Sequence, residues 1–102
     1  MDLNILNIPE PQKGELTVYS KSGCPNCTSV KKLLKEKQVK FIVIDCDYFI
    51  LEDKYAFLGF IQQLSGKDHK TFPMIFDGQT FIGGFTETTK YLDKLLDFDL
   101  TF

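Results

Sequence analysis

Two cysteines separated by two residues, in the segment Cys24-Pro25-Asn26-Cys27, carry the most specific chemistry in this sequence. If a helix begins here, both sulfurs lie on one turn, where they close a disulfide ring or open to a dithiol with little backbone motion. A zinc site would need two further ligands, and the candidates Cys46 and His69 stand at unlike spacings. A structural disulfide across two residues closes almost no loop and stabilises little. Redox chemistry is the favoured interpretation.

The start of a helix indicates which sulfur reacts. Its unpaired N–H groups and dipole favour an anion by about 0.3–1 kcal/mol. Since one pKa unit corresponds to about 1.4 kcal/mol, the dipole alone lowers a thiol pKa from ~8.5 to about 7.5–8. Lys21, three residues upstream, adds positive charge. We expect Cys24 to be the exposed nucleophile, and Cys27, on one helical stripe with Val30 and Leu34, to be the buried resolving thiol.

A second group of residues lies further along the chain, in Thr71-Phe72-Pro73 and Gly83-Gly84-Phe85-Thr86-Glu87. Pro73 is expected to open a strand, and a cis peptide bond before it would turn the Phe72 backbone outward, toward an extended peptide. Thr86 is expected to cap the next helix, whose N–H groups would hold a carboxylate, while Glu87 would accept from an ammonium. Beside a thiolate, this set suits a small zwitterionic thiol peptide.

Strand and helix signals alternate from residue 15 onward. They predict a strand at 16–20, a helix from 25 to about 38, a strand at 40–45, a helix at 51–64, a hairpin of 73–76 and 79–82, and a last helix from Thr86. Asp77-Gly78 is expected to form a type I′ turn. The apolar run Phe41-Ile42-Val43-Ile44 predicts a central parallel strand covered on both faces.

This β-α-β-α-β-β-α order predicts an α/β, thioredoxin-like fold, a four-stranded mixed sheet with helices on both faces. Residues 15–102 are expected to form that single domain. Residues 1–14 are interpreted as a leader segment whose apolar side chains can dock on the domain; these are Leu3, Ile5, Leu6 and Ile8.

Composition excludes several classes of function. With 102 residues and a net charge of −2, the chain lacks the basic face of a nucleic-acid binder. All twelve cations are lysines, so a bidentate arginine fork for phosphate is absent. No apolar run is long enough to span a bilayer, and the N-terminus lacks a secretory signal. The sequence predicts a cytoplasmic protein without membrane or nucleic-acid partners, in which Cys46 is a small residue at a strand end and His69 a surface histidine.

In these motifs the chain resembles the glutaredoxin family, specifically its dithiol class. The resemblance covers roughly residues 15–97 and implies an oxidoreductase that reduces protein disulfides and glutathione mixed disulfides with glutathione as co-substrate. It implies Cys24 and Cys27 as catalytic residues and no metal. The implied glutathione contacts are Lys21 for the glycine carboxylate, with Lys70 as a compensating cation, the Phe72 backbone for the cysteinyl part, and Thr86 and Glu87 for the γ-glutamyl end. Thr71, Pro73, Gly84 and Phe85 are implied as further glutathione contacts.

The sequence departs from the family pattern at some site positions. Asn26 stands where a Tyr is commonest, and Leu58 stands where a Gln or a cation often meets the glycine carboxylate. Two alternatives therefore stay open: a glutaredoxin-like hydrogen donor reduced by thioredoxin reductase, and a carrier of a [2Fe–2S] cluster. Pro25 argues against the carrier, because a smaller residue often takes this position in cluster-binding members. The expected partners are glutathione and disulfide-containing or glutathionylated proteins, and a monomer is expected.

Overall fold

The computed structural model describes residues 4–100, with side chains through residue 95; Leu3 of the expected docking segment lies outside the described residues. Seven elements follow one another in the predicted order. They are β1 (Leu16–Ser20), α1 (Pro25–Glu36), β2 (Phe41–Asp45), α2 (Asp47–Ser65), β3 (Met74–Asp77), β4 (Thr80–Gly83) and α3 (Phe85–Leu100).

The four strands form one mixed sheet in the order β2-β1-β3-β4. In the centre, Val18 of β1 lies opposite Val43 of the parallel strand β2 and opposite Ile75 of the antiparallel strand β3. The hairpin strand β4 pairs antiparallel with β3. The predicted thioredoxin-like α/β sheet is confirmed.

Helices cover both faces of this sheet, as predicted. On one face, Val30 and Leu34 of α1 and Leu92 of α3 pack with Val18 and Ile75. On the other face, α2 packs against the sheet through side chains that are fully or almost fully buried, namely Phe57, Phe60 and Ile61. None of the helices within residues 4–100 combines the length and the apolar character needed to cross a bilayer.

The second strand is not central, so the prediction drawn from its apolar run was wrong. β2 pairs only with β1 in this sheet and forms its edge, and Val43 is 44% exposed. The two interior strands are β1, in which all five residues are buried, and β3. A run of apolar residues indicates that some side chains of the strand are buried, but it does not indicate the place of the strand in the sheet. That place depends on which other strands pair with it, including strands that come later in the sequence.

The second helix begins earlier than predicted and is kinked. It starts at Asp47 rather than near residue 51, and Asp53 interrupts it with an extended backbone (φ −162°, ψ 91°). The Asp53 carboxylate accepts a hydrogen bond from the Ala56 N–H at 3.0 Å, so it caps the segment that follows. Gly66 ends the helix in the left-handed conformation, as the Ser65-Gly66 signal indicated.

Two local expectations need correction. In the hairpin, Asp77 pairs with Thr80, and the loop is Gly78-Gln79. Of these two loop residues, Gly78 has a positive φ (57°) and Gln79 does not, the pattern of a type II′ rather than a type I′ turn. The last helix begins at Phe85, one residue before the expected start, so Thr86 is not its N-cap.

The segment before β1 packs into the molecule. Ile8 is 2% exposed and belongs to the core under α2, whereas Ile5 is 68% exposed. The Tyr19 hydroxyl donates to the Pro9 carbonyl at 2.7 Å, and the Gln12 N–H donates to the Thr17 hydroxyl at 3.0 Å. The apolar pattern therefore correctly indicated docking, through Ile8 rather than Ile5.

This packing predicts unequal effects of truncating the two isoleucines. Ile8→Ala should lower the free energy of unfolding by about 2–5 kcal/mol, because it removes a buried side chain and leaves a cavity. Ile5→Ala, the matched control, should change it by less than about 0.5 kcal/mol. Urea denaturation followed by circular dichroism measures both values, and equal losses would contradict the docked position of Ile8.

Candidate active site

The two cysteines of the motif form the first turn of α1. Cys24 is the N-cap residue, with extended backbone angles (φ −111°, ψ 103°), and Pro25 occupies the first turn. Proline fits there because its missing N–H would have no helical partner. The Cα atoms of Cys24 and Cys27 lie 5.2 Å apart, and their sulfurs are joined as a disulfide.

The environments of the two sulfurs differ as the helical stripe predicted. Cys27 is 1% exposed and packs on the same buried face of α1 as Val30 and Leu34, whereas Cys24 is half-buried. The backbone N–H of Cys27 donates to the Cys24 sulfur at 3.1 Å. A substrate therefore has access to Cys24 and not to Cys27.

The loop that carries Cys24 is tied to the start of α2. The Asp47 carboxylate accepts the Ser22 N–H at 2.8 Å and also the Ser22 hydroxyl. These hydrogen bonds, first from the hydroxyl and then from the backbone, lower the pKa of Asp47, and the nearby Lys21 ammonium adds to the effect. Sequence reasoning missed this anchor, because Ser22 and Asp47 come together only when the ends of β1 and β2 meet.

The Phe72–Pro73 peptide bond is cis, the geometry that the sequence could only suggest. The Phe72 ring stacks on Phe57 of α2, with centroids 5.6 Å apart. The Lys21 ammonium lies 5.6 Å from the centroid of the same ring. Stacking and a cation–π contact thus hold the Phe72 side chain against α2 and Lys21.

A groove of about 500 Å³ opens at Cys24, and we call it the thiol groove. It brings together predicted site residues from two segments: Lys21 and Cys24 from the first, and Lys70, Thr71 and Phe72 from the second. Two residues of α2 that sequence reasoning missed, Ile50 and Lys54, also line it. Aspartate is a common N-cap residue, so Asp53 could have indicated from the sequence that a helical segment begins at Lys54.

A second groove of about 430 Å³ is also lined by Phe72, and we call it the side groove. It contains the remaining predicted contacts: Gly84, Phe85, Thr86 and Glu87. Asn26, Thr71 and Phe72 line both grooves, which are therefore contiguous. Lys67 and His69, two residues that were not predicted as site residues, also line the side groove. Pro73 is buried and lines neither groove.

Glu87 is already engaged by the backbone at the start of α3. Its carboxylate accepts the Gly84 N–H at 2.8 Å, as the third helical residue does in a capping box. This bond and the Glu87 backbone N–H are the main causes that lower the pKa of Glu87, with smaller contributions from His69 and Lys90. Gly83 (φ 133°) is required beside it, because a Cβ there would lie 2.8 Å from the Glu87 Cβ.

The third cysteine is inert by position. Cys46 is fully buried, and its sulfur donates to the Ile44 carbonyl at 3.5 Å. Burial is the main cause that raises the pKa of the Cys46 thiol to about 12, and the carboxylates of Asp45 and Asp47 contribute to that value. Among the side chains that the structure describes, those of residues 4–95, no three of His, Cys, Asp or Glu cluster as a metal site would require.

Comparison with known proteins assigns this arrangement to a class. A glutaredoxin family model matches residues 16–82. Glutaredoxin 1 of Rickettsia conorii is 37% identical over 87 residues, which cover 80% of this chain and 80% of the relative. The crystal structure of the buckwheat glutaredoxin–glutathione complex has a TM-score of 0.62 at 31% identity, covering 78% of this chain and 70% of that one.

The thioredoxin-like fold, with a Cys-x-x-Cys pair at a helix N-terminus, defines a dithiol redox protein. Within that class, the chain belongs to the glutaredoxin family. Mitochondrial glutaredoxin-2 of Homo sapiens is 36% identical over 73 residues, which cover 72% of this chain and 42% of the relative. The chain thus spans less than half the length of the mitochondrial relatives that it matches.

The exposures of the three sulfurs predict selective alkylation of the reduced protein. At pH 7.5, iodoacetamide should modify Cys24, because its sulfur reaches solvent and the helix N-terminus favours the thiolate. Cys46 should stay unmodified until urea unfolds the chain, since burial disfavours its thiolate. Peptide mass spectrometry measures both sites, and equal rates at Cys24 and Cys46 in the folded protein would contradict this assignment.

Proposed function

We propose that this chain is a glutathione-dependent thiol–disulfide oxidoreductase that reduces glutathione mixed disulfides and protein disulfides. The observation that carries the proposal is the Cys24 sulfur itself. It caps α1, it is half-buried, and it opens onto a groove bordered by Phe72 of the cis Phe72–Pro73 bond.

For a glutathionylated protein, the Cys24 thiolate attacks the glutathione sulfur of the mixed disulfide. The protein sulfur leaves with the electron pair and takes up a proton, and a Cys24–glutathione disulfide remains. A second glutathione thiolate then attacks the glutathione sulfur and releases the Cys24 thiolate. In sum, one glutathione and one mixed disulfide become a protein thiol and glutathione disulfide.

For a protein disulfide, Cys24 forms a mixed disulfide with one substrate sulfur, and the other leaves as a thiolate. Cys27 then attacks the Cys24 sulfur, which releases the second substrate thiol and leaves the Cys24–Cys27 disulfide. The Cα separation of 5.2 Å is within the range for this bond. Two glutathiones return the pair to the dithiol and become glutathione disulfide.

The charges of the thiol groove favour an anionic ligand. Lys21, Lys54 and Lys70 line it, and its described lining residues include no carboxylate. Glutathione presents its glycine carboxylate at one end and its γ-glutamyl ammonium and carboxylate at the other. We infer that the lysines receive the glycine carboxylate and that Lys54 serves where Leu58 offers no polar group.

The backbone at Phe72 supports the placement of the cysteinyl part between the two grooves. A related protein, buckwheat glutaredoxin, has been crystallised with glutathione, which supports glutathione as the ligand. The γ-glutamyl end would then lie in the side groove, near Thr86 and Glu87. Monomeric state, cytoplasmic location and glutathionylated protein partners stay predictions.

Serine substitutions should separate the two cysteines by function. Cys24→Ser should abolish every reaction, because the attacking sulfur is lost. Cys27→Ser should retain reduction of glutathione mixed disulfides and lose dithiol reduction of protein disulfides. Glutathione-coupled assays with a glutathionylated peptide and with a disulfide-containing protein measure the two activities.

Cys46→Ala is the matched control, since this buried cysteine lines neither groove, and it should keep both activities. Equal loss in the Cys24 and Cys27 variants would contradict the division of labour. Turnover with thioredoxin reductase but not with glutathione would instead favour the hydrogen-donor alternative. A brown protein with visible absorbance after anaerobic purification would favour the cluster carrier.

The assignment of Lys54 predicts a change in affinity for glutathione. Lys54→Ala should raise the KM for glutathione about twofold to fivefold, the effect of losing one exposed ion pair. Lys32→Ala is the control, because Lys32 is exposed on α1 and lines neither groove. Steady-state kinetics measures both constants, and an equal KM in the two variants would exclude Lys54 from the site.

A further inference from the structure

His69 occupies the side groove, although the sequence indicated a surface residue. Its ring packs edge-on against Phe81 of β4, with centroids 5.2 Å apart. Its Nε2 lies 3.5 Å from the Thr71 hydroxyl, and its Cε1 lies 3.7 Å from the point that a Cβ on Gly84 would occupy. The imidazole is thus half-buried and held between the loop before β3, strand β4 and the start of α3.

The charged neighbours of His69 come from α3 and from its own loop. From α3, the Glu87 carboxylate faces the groove, and Lys90 acts on that carboxylate. From the loop, Lys67 lines the same groove, and Lys70 pairs with Asp68 at 3.6 Å. Because the pKa of Glu87 is lowered, Glu87 remains ionised at any pH above its ordinary value of 4.5.

Histidine is the side chain whose charge changes between pH 5 and 8, and the sequence contains one histidine. That histidine is His69, and it lines the side groove. An imidazolium placed there would attract Glu87 and would repel any ammonium brought to the same carboxylate. A neutral imidazole would do neither.

We propose that His69 is a specificity-determining residue of the side groove, which admits the amino end of a γ-glutamyl ligand when the imidazole is neutral and opposes it when the imidazole is protonated. This inference rests on the proposed function, because it concerns the γ-glutamyl ammonium of glutathione. Beyond the proposed function, the inference assigns a role to His69, in the loop of residues 67–70, and makes ligand binding depend on pH.

The first test measures half-saturation at two pH values. Reduced protein is mixed with a glutathionylated fluorescent peptide in single turnover, so that half-saturation reports binding and the limiting rate reports the ionisation of Cys24. In the natural protein, the half-saturation constant should rise about fivefold from pH 7.5 to 5.5, the upper end for an exposed ion pair. With His69→Gln, which keeps a hydrogen-bonding group near Thr71 but does not titrate, the ratio should be close to one.

Two controls separate a charge effect from a structural one. A peptide modified with des-amino glutathione lacks the ammonium and keeps the γ-glutamyl carboxylate, which an imidazolium attracts. Its ratio should therefore not exceed one, even with natural His69. His69→Lys keeps a cation at both pH values and should show a ratio close to one. A merely structural role for His69 would give the same ratio in His69→Gln as in the natural protein, which would overturn the inference.

A second measurement needs no variant. If binding requires the neutral imidazole, adding S-methylglutathione to the natural protein near pH 6 should release protons. Calorimetry in two buffers of different ionisation enthalpy measures that release, and proton uptake or no proton exchange would overturn the inference. If the glutathionylated peptide does not react at either pH, the proposed function and the inference are both overturned. If it reacts but the ratio of half-saturation constants is the same in the natural protein and in His69→Gln, only the inference is overturned.

Discussion

The site depends on one contact, the hydrogen bond from the Cys27 backbone N–H to the Cys24 sulfur at 3.1 Å. A helix leaves its first N–H groups without partners, and an oxygen of Ser, Thr, Asp or Asn usually accepts one of them. Here a sulfur takes that place. In the disulfide that the structure shows, the contact orients the Cys24 sulfur. The same N–H can donate to the sulfur of the reduced pair, and a hydrogen bond to a charged group favours the charged form. The position of the reactive sulfur thus follows from the need of the first helical N–H groups for an acceptor.

The sheet brings the other parts of the site to that sulfur. Parallel strands carry their carboxyl ends to the same edge, so the loop after β1 and the start of α2 after β2 meet, where Asp47 holds Ser22. The antiparallel strand β3 begins at the same edge, next to β1, which places the cis Phe72–Pro73 bond beside the cysteine loop. Neighbours in the site are therefore far apart in sequence, and strand pairing alone brings them together.

The two grooves differ in charge, and that difference favours one orientation of a bound zwitterionic ligand. Three lysines are among the residues that line the thiol groove, whereas the side groove combines Glu87 with His69 and Lys67. A zwitterionic peptide with a carboxylate at one end and an ammonium at the other matches this asymmetry in one orientation. The helix start at Gly84 contributes as well, because its N–H fixes the Glu87 carboxylate at the groove wall. Loop residues such as His69 then alter the charge of a groove whose position is fixed by the fold.

The sequence by itself determined the order of elements, the buried stripe of α1 and the different exposures of Cys24 and Cys27, because these follow from helical periodicity and from residues adjacent in the chain. It also identified part of the lining of both grooves, in the segments 70–72 and 84–87. Only the tertiary structure decided that β1 rather than β2 is central, that Asp53 kinks α2 and that Lys54 and His69 face the grooves. Strand order and loop placement depend on contacts between distant segments, and such contacts leave no periodic signal in the chain.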